Sequence, residues 1–185
     1  RATVENAKKA ADMGVDMIVL TGNPGVGVDN KAITKALADL NEAVGDRVIL
    51  TAGKMHASGI LSEAGEKILT KEDAETFIEA GADVLLLPAP GTVPGFTMEH
   101  AAELIKTAHE KGVLAMTTIG TSQEGADEET IRQIALMCKM AGADIHHIGD
   151  SGYMGMALPE NITAYSVAIR GKRHTYRRMA MSLGR

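Results

Sequence analysis

Three stretches of this chain carry nearly the same pattern of hydrophobic and polar positions: MGVDMIVL at 13–20, AGADVLLL at 80–87 and AGADIHHI at 141–148. In each, a glycine closes a helical pattern, an Asp follows two residues later, and a run of strand length begins. Two less similar strands lie between them, DRVILTAG at 46–53 and GVLAMTTIG at 112–120, each behind an amphipathic helical segment. The strand starts are therefore about 30 to 36 residues apart, which leaves room for one crossover helix per interval and makes neighbouring strands parallel. Near-continuous apolar strands imply burial on both faces. The same periodicity predicts helices at 29–44, 71–80, 97–111, 127–140 and 160–182, with a further helix-like segment, TVENAKKAADMG, before the first strand.

No linker or low-complexity stretch interrupts the series, so residues 1–185 read as a single α/β domain. An open doubly wound sheet and a parallel (β/α)8 barrel both fit five strand-then-helix units. We favour the barrel, because similar units recur and because GNPGVGV at 22–28 lacks the Gly-x-Gly-x-x-Gly spacing of a dinucleotide turn. A barrel takes about 250 residues, so the expectation is that three further units, roughly 70 to 100 residues, lie upstream. The start at Arg1, without Met and directly on a helix-like segment, agrees with it.

Ligands of either architecture bind where the loops after the strands gather. Those five loops are TGNPGVGVDN, AGKMHASG, PAPGTVPGFT, IGTSQEGADEE and GDSGYMGMALPE. Lys54 follows the apolar strand VILTAG, at a position facing the barrel mouth, where a desolvated lysine can form a Schiff base with a carbonyl substrate or hold an enolate or phosphate. His56, two residues on, is a candidate acid or base. Adjacent strand residues point to opposite faces, so His146, aligned with Ile18 and Leu85, and His147, aligned with Val19 and Leu86, cannot share one task. We take His146 as the inner, proton-transferring one, with Asp150 as its orienter. Gly120, Thr121, Ser122 and Gly152 lie in glycine-rich turns whose amides can face an anion. The spacing His-Glu-x-x-His is absent, and no metal ligands are assigned.

Composition narrows the class. With 45% hydrophobic and 23% charged residues the chain reads as a globular protein. The sequence contains neither an apolar run of roughly 20 residues nor a signal-peptide pattern, so the expected compartment is the cytoplasm and no membrane partner is expected. The lone Cys138 falls in a helical pattern and reads as a small buried apolar side chain. A net charge of -5 and only 3% aromatic residues argue against a nucleic-acid partner, despite the basic, acid-free tail from Arg170 to Arg185. That tail reads as a solvated or subunit-facing helix, and a homo-oligomer is expected.

With LTGNPG, AGKMH, LLPAPGTVPG, TIGTSQEGADEETIRQIA and HHIGDSGY in place, essentially the whole chain resembles a bacterial family of barrel proteins often labelled haloacid dehalogenase-like hydrolases. It is also distantly similar to phosphate-binding barrels such as phosphoenolpyruvate mutases. The Asp-x-Asp pair of haloacid dehalogenase-type phosphatases occurs nowhere in the chain.

These readings converge on a barrel enzyme acting on a small phosphorylated or carboxylated metabolite by lyase, aldolase or isomerase chemistry. Magnesium is the one cofactor considered. The alternatives are a metal-dependent hydrolase and a non-catalytic metabolite-binding regulator on the same scaffold.

Overall fold

A computed structural model describes residues 2–57, 59–120, 123–149 and 157–182. Its elements follow in the order α1 (Val4–Asp12), β1 (Met17–Thr21), α2 (Asn30–Val44), β2 (Ile49–Gly53), α3 (Lys71–Glu79), β3 (Val84–Pro88), α4 (Met98–Glu110), β4 (Leu114–Ile119), α5 (Glu128–Ala141), β5 (Ile145–Ile148) and α6 (Pro159–Ser182). The five strands form one parallel sheet in the order β1-β2-β3-β4-β5, a half-barrel with its helices on the outside. Among the described residues no helix is long and apolar enough to cross a membrane.

The repeated Gly-x-Asp sets where the strands begin. Gly14, Gly81 and Gly142 take φ of 89°, 106° and 98°, a region that glycine enters without strain, and each ends a helix and turns the chain. The strands then start directly after the Asp, at Met17, Val84 and Ile145. The Asp then closes the amino end of the sheet: Asp83 Oδ2 accepts the amide of Leu50 at 2.8 Å, and Asp144 Oδ2 accepts that of Ala115 at 2.8 Å. Two of the three aspartates in the repeat are thus side-chain extensions of the backbone ladder.

Alternation along the strands separates two faces. Leu20, Leu50, Ala52, Leu85, Leu87 and Ala115 point outward and bury against Leu37, Leu40, Phe77 and Leu104 of the helix layer. Val84, Leu86 and Met116 form a second apolar cluster on the concave face, joined by Met17, Met55 and Ile145. β3, covered on both faces, is buried at every position, which explains its unbroken VLLLP.

The helices that leave the carboxyl ends of the strands are capped by their own sequence. Asp29, Thr97 and Asp127 cap α2, α4 and α5, and Thr70 and Asp73 cap α3 reciprocally. The Asp127 carboxyl sits below its ordinary value, chiefly because it accepts the backbone amide of Thr130. α6 is two helices rather than one: Gly171 has φ 80° and ψ 161°, and the Ser166 and Thr175 hydroxyls lie 3.0 Å apart, which requires the chain to fold back between them.

Gly53 ends β2 against its neighbour. A Cβ there would stand 1.8 Å from the carbonyl oxygen of Leu86, a contact only backbone movement relieves. Gly53→Ala should cost at least about 3 kcal/mol, the upper end for overpacked positions, read as a lower urea midpoint with an unchanged slope.

Candidate active site

The close approach at Gly53 delivers the next residue, Lys54, to the carboxyl end of the sheet. Its stem runs over Gly22, the residue just beyond β1: a Cβ on Gly22 would meet Lys54 Cγ at 3.0 Å and Cδ at 3.1 Å. Gly22 is thus the space that the lysine fills. At 1% exposure Lys54 is among the largest fully buried side chains of the protein. The Nζ donates to Glu63 Oε2 at 2.7 Å, from the short turn Leu61–Glu63 in the loop that folds back over it. Taking an ammonium out of water is expensive, and the ion pair offsets that penalty. His56 is half-buried further along the same loop.

The paired histidines separate as strand geometry demands, in the opposite sense to the one expected. His146 faces the helix layer, because it shares the outward register of the adjacent strands, and its Nδ1 lies 3.0 Å from the Tyr165 hydroxyl of α6. Burial, assisted by the charge of Arg170 and opposed by Asp144, holds the His146 pKa below its ordinary value of 6.5. Asp144 also sits below its ordinary value: burial would raise it, but hydrogen bonds from His109 and the Ala115 amide, with the His109 charge, outweigh that effect. Burial pushes both the Cys138 thiol and the Tyr165 hydroxyl up, so neither ionises readily.

His147 is the inner histidine. It pairs in register with Thr118, is exposed, and lines a cavity of about 390 Å³ at the carboxyl ends of β4 and β5 with Met55, Gly120, Glu124 and Gly149. Neither Lys54 nor Glu63 lines this cavity; the residue after the lysine, Met55, does.

Glu124 is the functional candidate that sequence reasoning missed. Its Oε2 is buried with no hydrogen-bond partner among the described residues. Asn161 of α6 fixes the surrounding turn, Gln123–Gly125, through its Nδ2, which donates to the carbonyls of Glu124 at 2.8 Å and Ala126 at 2.9 Å. The signal in the sequence was an acidic residue four positions past a strand end, indistinguishable there from a solvated loop residue. Glu63 was missed for a related reason, since only the fold brings Leu61–Glu63 back onto Lys54.

Gly120, of the expected anion site, lines the cavity; Thr121, Ser122, Asp150 and Gly152 lie outside the described residues. Among the described residues no group of three His, Cys, Asp or Glu side chains is placed to hold a metal ion.

Over residues 1–185 the chain matches the family model described as a domain of unknown function (DUF7916). No curated protein matches it. Among solved structures it is similar to deoxyribose phosphate aldolase from Aeropyrum pernix, with 21% identity, a TM-score of 0.63, and coverage of 92% of this chain and 68% of that one. It is also similar to an archaeal fructose 1,6-bisphosphate aldolase, at 19% identity and a TM-score of 0.64, covering 89% of this chain and 62% of that one. A third, described as QR15, an aldolase, shares 14% identity at a TM-score of 0.64, with 91% and 69% covered. At these identities the likeness is one of fold.

These findings correct the expected kinship with haloacid dehalogenase-like hydrolases and phosphoenolpyruvate mutases: the family is DUF7916, and the structural neighbours are aldolase barrels. Several of the motifs that suggested the kinship, among them the strand ends and glycine turns, are barrel scaffolding and carry no reaction type.

Two predictions follow from this geometry. Glu63→Ala leaves an uncompensated buried ammonium and should cost about 3–5 kcal/mol, whereas Lys54→Met leaves a carboxylate that reaches water and should cost under about 1.5 kcal/mol. Equal losses in urea titrations of the two variants would contradict the ion pair's role. The depressed pKa of His146 means that the unfolded chain binds its proton first, so this stability is present above pH 6.5 and is lost as pH falls through it. Urea midpoints measured from pH 7.5 to pH 5 should fall, and His146→Gln should flatten that decline.

Proposed function

We propose that this chain, which belongs to the DUF7916 family, catalyses aldol-type cleavage or formation of a carbon–carbon bond in a small carbonyl metabolite bearing a phosphate or carboxylate. One observation carries the reading: a lysine buried to 1% exposure at the carboxyl end of a strand, paired with a carboxylate that is itself 30% exposed. A structural lysine at a strand end would ordinarily reach solvent, whereas a desolvated one beside a carboxylate can give up its proton and act as a nucleophile.

In the cleavage direction Glu63 takes a proton from the Lys54 ammonium, and the free amine attacks the substrate carbonyl carbon. Loss of water, with a proton returned to the departing oxygen, leaves an iminium. That cation accepts the electron pair of the adjacent carbon–carbon bond as it breaks, while a base removes the proton of the neighbouring hydroxyl so that it leaves as an aldehyde. The enamine that remains is protonated at carbon, and water hydrolyses the resulting iminium, which frees the second product and restores Lys54. His147 and Glu124, on the cavity wall next to Met55, are the groups we assign to these proton transfers, with His56 as a further candidate. Gly120, together with Thr121, Ser122 and Gly152, is assigned to the anionic end of the substrate. The names of the neighbouring aldolases, which act on deoxyribose phosphate and fructose 1,6-bisphosphate, support sugar phosphates as the substrates to try first. A homo-oligomer accompanies this reading, in line with the tetramer named for the Aeropyrum enzyme.

The test is to incubate the protein with a panel of sugar phosphates and 2-keto acids, reduce with borohydride and locate the adduct by peptide mass spectrometry. The expected result is a stable adduct on Lys54, absent from Lys54→Met, with turnover in that variant down by at least about 10³-fold. Turnover lost without any trapped adduct would make Lys54 an enolate-holding charge and not a nucleophile. Full turnover in Lys54→Met would remove it from the mechanism.

A further inference from the structure

The lysine assigned to the chemistry is closed off from the cavity beside it. Lys54 is fully buried, and neither it nor Glu63 borders the space of about 390 Å³ that His147 and Glu124 line. A carbonyl carbon has to come within bonding distance of the Lys54 Nζ before the amine can attack it. Whatever covers that atom therefore moves first.

The side chain lies between a fixed wall and a loosely held one. Under the stem, Gly22 is fastened to β2 by its amide, which donates to the Gly53 carbonyl at 3.2 Å, and Ile33 of α2 is fully buried against it. Over the amine runs the stretch 59–67, none of whose residues is buried, whereas Ile68 and Leu69 just beyond it are. Leu61, two residues before Glu63, is 89% exposed, so its apolar side chain fastens nothing. The backbone hydrogen bonds of the stretch stay local: the amide of Ile60 donates to the Ala57 carbonyl, that of Glu63 to Ile60, that of Ala64 to Leu61 and that of Lys67 to Ala64, at 3.0 to 3.3 Å. Gly65 lies against Gly95, glycine on glycine, with no side chain between them. The contact that ties the stretch to the end of β2 is the ion pair of Glu63 with Lys54 at 2.7 Å. Gly59, where the stretch begins, has φ 79°, a conformation that glycine takes up and leaves without strain.

We propose that residues 59–67 form a lid, hinged at Gly59, anchored at Ile68 and latched by the Glu63 to Lys54 ion pair, which opens as a unit to admit the carbonyl end of the substrate to Lys54. Closed, the lid keeps the lysine paired and away from water. Opening hydrates the ammonium and the carboxylate together and uncovers no buried side chain of the lid itself, so it costs far less than unfolding the sheet. The freed amine then stands next to Met55, which is already part of the cavity wall. Motions of this kind commonly gate the entry of a substrate. The inference rests on the chemistry proposed for Lys54.

Brief treatment of the whole protein with trinitrobenzenesulfonate, with the labelled sites located by peptide mass spectrometry, measures how often the Lys54 amine is uncovered. Labelling at Lys54 should be at least about 100-fold slower than at the exposed Lys8, yet constant as urea rises toward the unfolding transition, since a local opening exposes little surface. A Lys54 rate equal to that of Lys8 would overturn the lid. So would a rate that climbs with urea along the slope of global unfolding, which labelling of the buried Cys138 thiol by N-ethylmaleimide reports on the same sample. Two glycines supply a second arm: Gly59 in the lid and Gly112 before β4 have φ of 79° and 76° and open space where a Cβ would stand, so alanine at either strains the backbone alone. Gly59→Ala should speed Lys54 labelling about 5- to 30-fold, because opening relieves its strain, and Gly112→Ala should leave the rate unchanged. Equal acceleration by both variants, or none by Gly59→Ala, would overturn the proposal. These rates do not depend on turnover: a lid that meets both expectations over a lysine that forms no adduct with any carbonyl compound would stand, while the proposed reaction would fall.

Discussion

Everything in this structure depends on the register with which each strand enters the parallel sheet. A strand shifted by one residue turns every side chain to the opposite face, so the entry point decides which residues pack against helices and which line the concave face. The repeated glycine and Asp make that decision locally. Glycine supplies the left-handed turn, and at Asp83 and Asp144 the side chain fastens the new strand to the amide of the previous one. With the amino ends so fixed, the carboxyl ends of β2, β4 and β5 arrive together, which brings Met55, Gly120 and His147 to one cavity.

The same constraint explains Lys54. Register places Gly53 against the Leu86 carbonyl, a contact that only glycine permits, and Gly22 leaves room for the lysine stem. The loop beyond then has to close over a buried charge, and Glu63 makes that closure favourable by meeting the ammonium. A methionine in place of the lysine would keep the packing and lose the charge.

Much of this was legible in the sequence, and what was not has a physical cause. The three Gly-x-Asp repeats, with the two less similar apolar runs between them, revealed five parallel strands, because a turn that needs a positive φ and a strand buried on both faces each leave a strong local mark. Lys54 stood out because a lysine directly beyond an apolar strand is conspicuous. The facing of His146 and His147 was not legible, since alternation separates the two but only pairing with the neighbouring strand shows which one meets the helices. Glu63 and Glu124 were invisible because their partners are distant in the chain: Lys54 is brought to Glu63 by a folded loop, and Asn161 fixes the turn of Glu124 from another helix. The kinship first suggested by the motifs failed for the complementary reason, since scaffold residues recur wherever the scaffold does.

The two ends of the sheet treat their polar groups differently, and that difference separates scaffold from site. At the amino end, Asp83 and Asp144 are each bonded to backbone amides, and their carboxylates are consumed by folding. At the carboxyl end, Thr118 Oγ1 and Glu124 Oε2 are buried without a hydrogen-bond partner among the described residues, and Thr118 stands in register with His147. A buried polar atom left unpaired costs about 1–3 kcal/mol. Thr51 Oγ1 in mid-strand carries the same cost, so what sets the mouth apart is that its unpaired atoms stand beside an open cavity and the exposed His147.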